Sequence, residues 1–281
     1  RRVPSGDTPR GHKPAQRPPI PPAIALPANM ELIAGRNPVT EALRAGGRVR
    51  RLLVAREARR HPMVEEAVAL ARQLPVRIEE VAEQQLSLLA PDHQGLAALV
   101  IPFQYTSWGD LLARLKGSER PASVLLLDTV QDPQNLGTLL RTAEATGVDA
   151  VVLPKRRAVH VTPAVVRSSA GAVEHLVVAQ VPNLVRAAQD LKEAGLWIAG
   201  IDVDGDRLYW DLDMRGPTAL VLGGEDHGIG RLLKESCDFL IRLPMAGKVS
   251  SLNAATAGSV VLYEMVRQRS LLEEAGGAGI E

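Results

Sequence analysis

The stretch V124-L-L-L-D-T-V-Q-D-P-Q-N-L-G-T-L-L-R-T-A143 passes from a short apolar run through a polar loop into a helical period. Two later blocks have the same build, A219-L-V-L-G-G-E-D-H-G-I-G230 and F239-L-I-R-L-P-M-A-G-K-V-S-S-L-N253. Short apolar runs bounded by Gly, Pro and Asn read as buried strands. In open α/β sheets the ligand site lies beyond the carboxyl ends of such strands. Three strand-end loops that carry Asn135, Arg141, Glu225, Ser251 and Asn253 therefore predict one site.

Outward from these blocks, residues 122–269 alternate. Strands are expected at 124–128, 150–153, 175–178, 196–201, 219–222 and 239–243, and helices at 136–146, 162–170, 183–194, 229–235 and 252–268. That alternation predicts an α/β domain whose mostly parallel sheet is covered on both faces. Residues 30–101 predict a smaller α/β domain, with strands at 50–55, 76–81 and 95–101 and helices from Asn37-Pro38 and through Met63–Gln73. Residues 102–121 read as a linker with one amphipathic stretch at 110–116, and 270–281 as a frayed tail. Residues 1–29 hold eight prolines and five Lys/Arg against one Asp. They predict a disordered or polyproline-like basic arm, either a solvated tail or a contact to phosphate backbones.

Composition narrows the classes. At 281 residues the chain is long enough for two domains, each able to bury a core. A net charge of +1 makes any nucleic-acid contact a matter of local patches. The single cysteine, Cys237, excludes an internal disulfide framework and a Cys-rich zinc site, and it suits a reducing cytoplasm. No apolar run is long enough to span a membrane. The arm lacks the apolar core of a secretory signal. Neither G-x-G-x-x-G nor G-x-x-x-x-G-K-[ST] occurs, and G-x-S-x-G and H-E-x-x-H are also missing. The six histidines show no ligand spacing, so no metal is expected. Arginines 44, 48, 50, 51, 56, 59 and 60 face only Glu57 in the sequence. Arg44, Arg48, Arg50, Arg51, Arg56, Arg59 and Arg60 are thus either an RNA-phosphate patch or an Arg-rich surface without a partner.

The three blocks, in this order, resemble the motifs of the SpoU/TrmH family (SPOUT superfamily) of RNA ribose methyltransferases. The resemblance covers nearly all of residues 30–269. I33-A-G-R-N-P-V-T-E-A-L43 and H93-Q-G95 resemble the substrate-binding domain of its ribosomal-RNA branch, and within it the 23S rRNA guanosine 2′-O-methyltransferase type. The resemblance implies S-adenosylmethionine as cofactor, a deep trefoil knot over roughly residues 219–265, a homodimer interface beside the cofactor, and 23S rRNA as partner. The other readings are a tRNA or other-site rRNA ribose methyltransferase, and a non-catalytic RNA-binding protein of the same fold.

Transfer to a ribose 2′-hydroxyl needs alignment of the reacting atoms and help in removing a proton. The resemblance assigns Arg141 to the reacting oxygen. A guanidinium is a poor base, so charge stabilisation is the role expected of it. Asn135 is either a helix cap or a group that positions Arg141 or the ribose. Glu225 is either an acid favoured by a helix dipole or part of the site. Ser251 and Asn253 open the last helix, as caps also would, and flank the reacting groups in the family. By the same resemblance Gly223, Leu243 and Leu252 cradle adenosine, with Gly224, Met245 and Gly247 shaping the pocket. One departure is A254-A-T-A257, where the branch commonly has a Val-Ser-Val type of run.

Overall fold

The computed structural model of the chain describes residue 24, residues 26–225 and residues 227–277, the stretch 272–277 by backbone alone. Nearly all of the basic arm and the end of the tail lie outside the described residues.

The first domain runs β1 (Glu31–Ala34), α1 (Arg36–Ala45), β2 (Val49–Ala55), α2 (Pro62–Arg72), β3 (Arg77–Val81), α3 (Glu83–Leu89) and β4 (Leu96–Val100). Its sheet has the order β1-β4-β2-β3, with β2 and β3 parallel and the other pairs antiparallel. Pro62 opens α2, and Val64, Ala67, Val68 and Ala71 recur at helical spacing to form one buried stripe. The sequence reading has neither β1 nor α3. Each is short, and E-L-I-A carries too few residues to show a period.

The second domain runs α4 (Trp108–Lys116), β5 (Ser123–Asp128), α5 (Pro133–Ala145), β6 (Ala150–Pro154), α6 (Pro163–Ser168), β7 (Val178–Val181), α7 (Leu184–Glu193), β8 (Trp197–Ile201), β9 (Arg207–Leu208), β10 (Thr218–Gly223), α8 (Arg231–Glu235), β11 (Phe239–Arg242) and α9 (Ala254–Gly277). Its seven strands are ordered β7-β6-β5-β10-β8-β11-β9, and every pairing is parallel. The chain builds outward from β5 to β7, then crosses back to build the other half. The reversal lies beside β5, where parallel sheets open a crevice at their carboxyl ends.

Three expectations are corrected. The segment read as a linker contains α4, whose Leu111 and Leu115 are buried in the second domain's core and whose Trp108 Nε1 donates to Asp190 at 2.9 Å. The strand expected at 175–178 lies at Val178–Val181, because Ala172–His175 forms a tight 3-10 turn after Gly171, which has φ 86°. The last helix continues past 268 to Gly277. Gln268 anchors it by accepting from the Met214 N–H at 2.8 Å and donating to the Leu212 carbonyl at 3.0 Å.

The two domains share one apolar core that includes Val39, Leu43 and Leu52 from the first and Leu136, Val165 and Val173 from the second. Across the seam Arg48 donates to Glu174 at 2.7 Å, and on its own side to the Ile101 carbonyl at 3.0 Å. Cys237 is half-buried against the second core, where burial pushes its thiol up to about 11 and leaves it protonated.

Candidate active site

β5, β10, β8 and β11 are neighbours in the sheet, so the loops that leave their carboxyl ends converge. Asp132 caps α5 by accepting from Gln134 N–H at 3.1 Å. Asn135 therefore sits in the first turn with its amide free for other partners. It donates to the Glu225 carboxylate and accepts from Asn253 Nδ2 at 3.0 Å. Asn253 also accepts from Thr256 N–H at 3.2 Å, so it caps α9 while holding Asn135. Glu225 lies six residues before α8, too far for that helix's dipole to explain it. The cap and dipole readings thus fail for Asn135 and Glu225, and Asn253 does both jobs. Residues from all three blocks meet in one chain of hydrogen bonds, Asn253–Asn135–Glu225.

On one side of Glu225 lies a cavity of about 700 Å³. Among the residues read from sequence, Gly223, Gly224, Glu225, Leu243, Met245, Ser251, Leu252 and Asn253 line it. Gly247 does not; it is exposed and has open space around it, which corrects its assignment to the pocket. The sequence reading missed Ile201, Asp202, Val203, Asp204 and Lys234, which also line the cavity. The signal was present, since the apolar run expected as a strand at 196–201 is followed by the polar loop D202-V-D-G205. Lys234 pairs with Asp202 at 2.9 Å and reaches Asp204 at 3.7 Å. Its hydrogen bond to Asp202 holds the ammonium above its usual range.

Gly223 is required by close approach. A Cβ there would fall on the carbonyl of Gly228, with which the loop closes on itself through Gly228 N–H to Gly224 O at 3.0 Å. Gly223→Ala is expected to open this loop and abolish ligand binding in the cavity. Calorimetry with S-adenosylmethionine checks it, and an alanine variant of unchanged affinity would show that the loop gives way at no cost.

Arg141 is exposed on α5, does not line the cavity, and has no ion pair or side-chain hydrogen bond among the described residues. It is six residues along α5 from Asn135, about 9 Å by helical rise, and no contact joins it to the Asn–Glu chain. Four of the seven arginines read as a phosphate patch are compensated. Arg44 pairs with Glu41 and Glu66, Arg51 with Glu79 at 3.6 Å, and Arg59 with Glu80. Arg48 is buried against Glu174, which removes it from any RNA surface. Arg50, Arg56 and Arg60 stay exposed without a carboxylate partner among the described residues. Apart from Glu41, three residues before Arg44 on α1, the partners are remote in sequence: Glu66, Glu79, Glu80 and Glu174 come beside the arginines only by folding.

Residues 122–263 match the SpoU rRNA Methylase family. The chain belongs to it. Residues 32–106 match the domain described as RNA 2′-O ribose methyltransferase substrate binding. A TrmH family member from Staphylococcus epidermidis, provisionally named as a tRNA/rRNA methyltransferase, is 39% identical over 86% of this chain and 98% of its own length. The SpoU methyltransferase AviRb from Streptomyces viridochromogenes, in complex with AdoMet, superposes with a TM-score of 0.72 at 31% identity, covering 87% of this chain and 92% of that one. An AdoMet-bound rRNA methyltransferase from Sinorhizobium meliloti does so with a TM-score of 0.70 at 26% identity, over 85% and 87%. This SpoU-family chain is accordingly an RNA ribose methyltransferase, with its substrate-binding domain first and its methyltransferase domain second. No described helix is long and apolar enough to cross a membrane.

Proposed function

We propose that the protein transfers a methyl group from S-adenosylmethionine to a ribose 2′-hydroxyl of 23S rRNA, at a guanosine in the peptidyl-transferase loop. The observation that carries the reading is the Asn253–Asn135–Glu225 chain, which joins all three blocks and has Glu225 and Asn253 at the wall of a ligand-sized cavity. The cavity suits the cofactor. Leu222, Leu243, Met245 and Leu252 offer apolar walls for adenine, and Asp202 and Asp204 offer acceptors for hydroxyls or a cationic group. When bound, S-adenosylmethionine supplies a methyl carbon activated by its sulfonium.

The chain's own residues do the rest. Asn135 and Asn253 hold the Glu225 carboxylate in one orientation, so little reorganisation is needed as charge develops. Ser251, exposed two residues before Asn253, presents a hydroxyl at the same wall. The resemblance assigns to Arg141 the cation that stabilises the developing alkoxide and holds a neighbouring phosphate, a role that its exposed, unpaired position on α5 leaves available to bound RNA. Arg50, Arg56 and Arg60, with the charge-compensated Arg44, Arg51 and Arg59 around them, form the first domain's RNA-facing surface. A homodimer completes the arrangement. Val203 and Leu252 line the cavity yet are 63% and 41% exposed, leaving apolar surface at its mouth for a second copy. The knot fits the sheet order, in which β11 adds outside β8 and the chain returns so that α9 packs on α5 and β10.

Ribose-methylation mapping of total RNA, with and without the gene, is expected to show one lost 2′-O-methyl group in 23S rRNA. Loss at a tRNA position instead would select the tRNA reading. Calorimetry is expected to show S-adenosylmethionine binding unchanged by a chelator; loss of binding on chelation would count against a metal-free site.

A further inference from the structure

A second hollow, of about 560 Å³, lies on the β6 side of Glu225. Gly224, Glu225 and His227 line both it and the larger cavity, so one short loop is the partition between the two. Its other walls are Thr129 and Gln131 from the loop after β5, and Arg157, Ala158 and Val159 from the loop after β6. A transfer reaction needs two bound partners on either side of its reacting groups. The larger cavity has the apolar walls; this one offers a hydroxyl, an amide and a guanidinium, donors and acceptors suited to a ribose and a base edge.

Two further observations mark this hollow. Thr129 and Arg157, at 56° and 62°, are two of four non-glycine residues with positive φ among the described residues. Such backbone costs about 1–3 kcal/mol each and persists where the surroundings impose it, commonly at functional sites. Here the surroundings do impose it. Val159 N–H donates to the Val130 carbonyl at 2.9 Å and Lys155 N–H donates to the Val181 carbonyl at 2.9 Å, while the backbone of Gly224 passes so close that a Cβ there would fall on the Thr129 carbonyl. The second observation is charge. Lys155, Arg156 and Arg157 are consecutive and exposed, and none has a carboxylate partner among the described residues. In the first domain, by contrast, glutamates meet Arg44, Arg48, Arg51 and Arg59 within the Arg-rich segment.

We propose that this hollow receives the acceptor nucleotide of the RNA, read by Thr129 and Gln131, and that Lys155, Arg156 and Arg157 hold the phosphates flanking it. The proposal rests on the RNA methyl-transfer reading and adds where the RNA enters. Single-stranded RNA presents splayed bases and phosphates, which a pocket rimmed by unpaired cations is built to take.

The test uses the full chain, filter binding to 23S rRNA transcript, and calorimetry with S-adenosylmethionine. The triple reversal of Lys155, Arg156 and Arg157 to Glu is expected to weaken RNA binding by tenfold or more and to lower the salt slope by about 2, at roughly 0.7 per lost phosphate contact. S-adenosylmethionine affinity should not change. Arg51→Glu with Arg59→Glu should do less, since each already faces a glutamate. Arg157→Gly suits its φ, so it is expected to raise thermal stability slightly while still lowering RNA affinity, a pairing that a purely structural role would not produce. RNA affinity and salt slope equal to wild type in the triple variant, or no RNA binding by the wild-type protein, would overturn the proposal. Failure of the methyl-transfer reading shows separately, as a wild-type protein that binds RNA and transfers nothing.

Discussion

Arg141→Ala is expected to cut the turnover of methyl transfer by about 10²–10³-fold or more while leaving the affinity for S-adenosylmethionine and the melting temperature unchanged. The magnitude is that of removing one preorganised charge from a transition state. Stability should hold because Arg141 is exposed and unpaired among the described residues, and such surface changes usually stay within about ±0.5 kcal/mol. Cofactor affinity should hold because Arg141 does not line the larger cavity. Arg141→Lys keeps the charge but loses the planar fork, so an intermediate rate is expected. Single-turnover assays on rRNA, with calorimetry alongside, check all three quantities. Near-normal turnover in the alanine variant would remove Arg141 from the mechanism.

Arg48→Ala should instead act on the fold. Its guanidinium is buried, donating to Glu174, whose side chain is 2% exposed, and standing 3.6 Å from Glu31. Removing one partner of a buried pair leaves the other charge uncompensated, at a cost of about 3–5 kcal/mol. For a chain of this size that is a drop in Tm of roughly 10 °C. The loss has a predictable pH dependence. Burial already pushes the Glu174 carboxyl above its ordinary value of 4.5, with Arg48 opposing. Without Arg48 the folded-state value rises further. A group raised in the folded state adds stability below its unfolded value and loses it as pH rises through the folded value. Arg48→Ala should therefore be less destabilised at pH 5 than at pH 8. Adding Glu174→Gln should recover part of the loss at pH 8. Thermal unfolding at the two pH values measures this, and equal destabilisation would mean the cost is packing alone.

That pair also explains why an arginine can look like an RNA contact in sequence and not be one. Arg44, Arg48, Arg51 and Arg59 stand in a run almost free of acids, but Glu66, Glu174, Glu79 and Glu80 reach them from other elements. Residues such as Lys155, Arg156 and Arg157 drew no attention in the sequence, because three cations are a weak compositional signal. They stand out only once the strand-end loops are assembled around Glu225 and no acid is found opposite them.

Sequence by itself determined the order of elements around the site, since apolar runs of strand length ending in Gly, Asp or Pro must be buried and must stop where polarity begins. It also determined which residue types reach the site, because Asn135, Glu225 and Asn253 each follow such a run within a loop or first turn. Tertiary structure alone decided the rest. It decided that β10 lies between β5 and β8, which brings Asn135 against Glu225 across 90 residues of chain. It decided that Asp132 caps α5 and frees Asn135, and that Asn253 caps α9 and still holds Asn135. It decided, too, which charges are spent on one another. Local sequence sets propensity and pattern, whereas pairing between elements depends on distances that exist only after the sheet has closed.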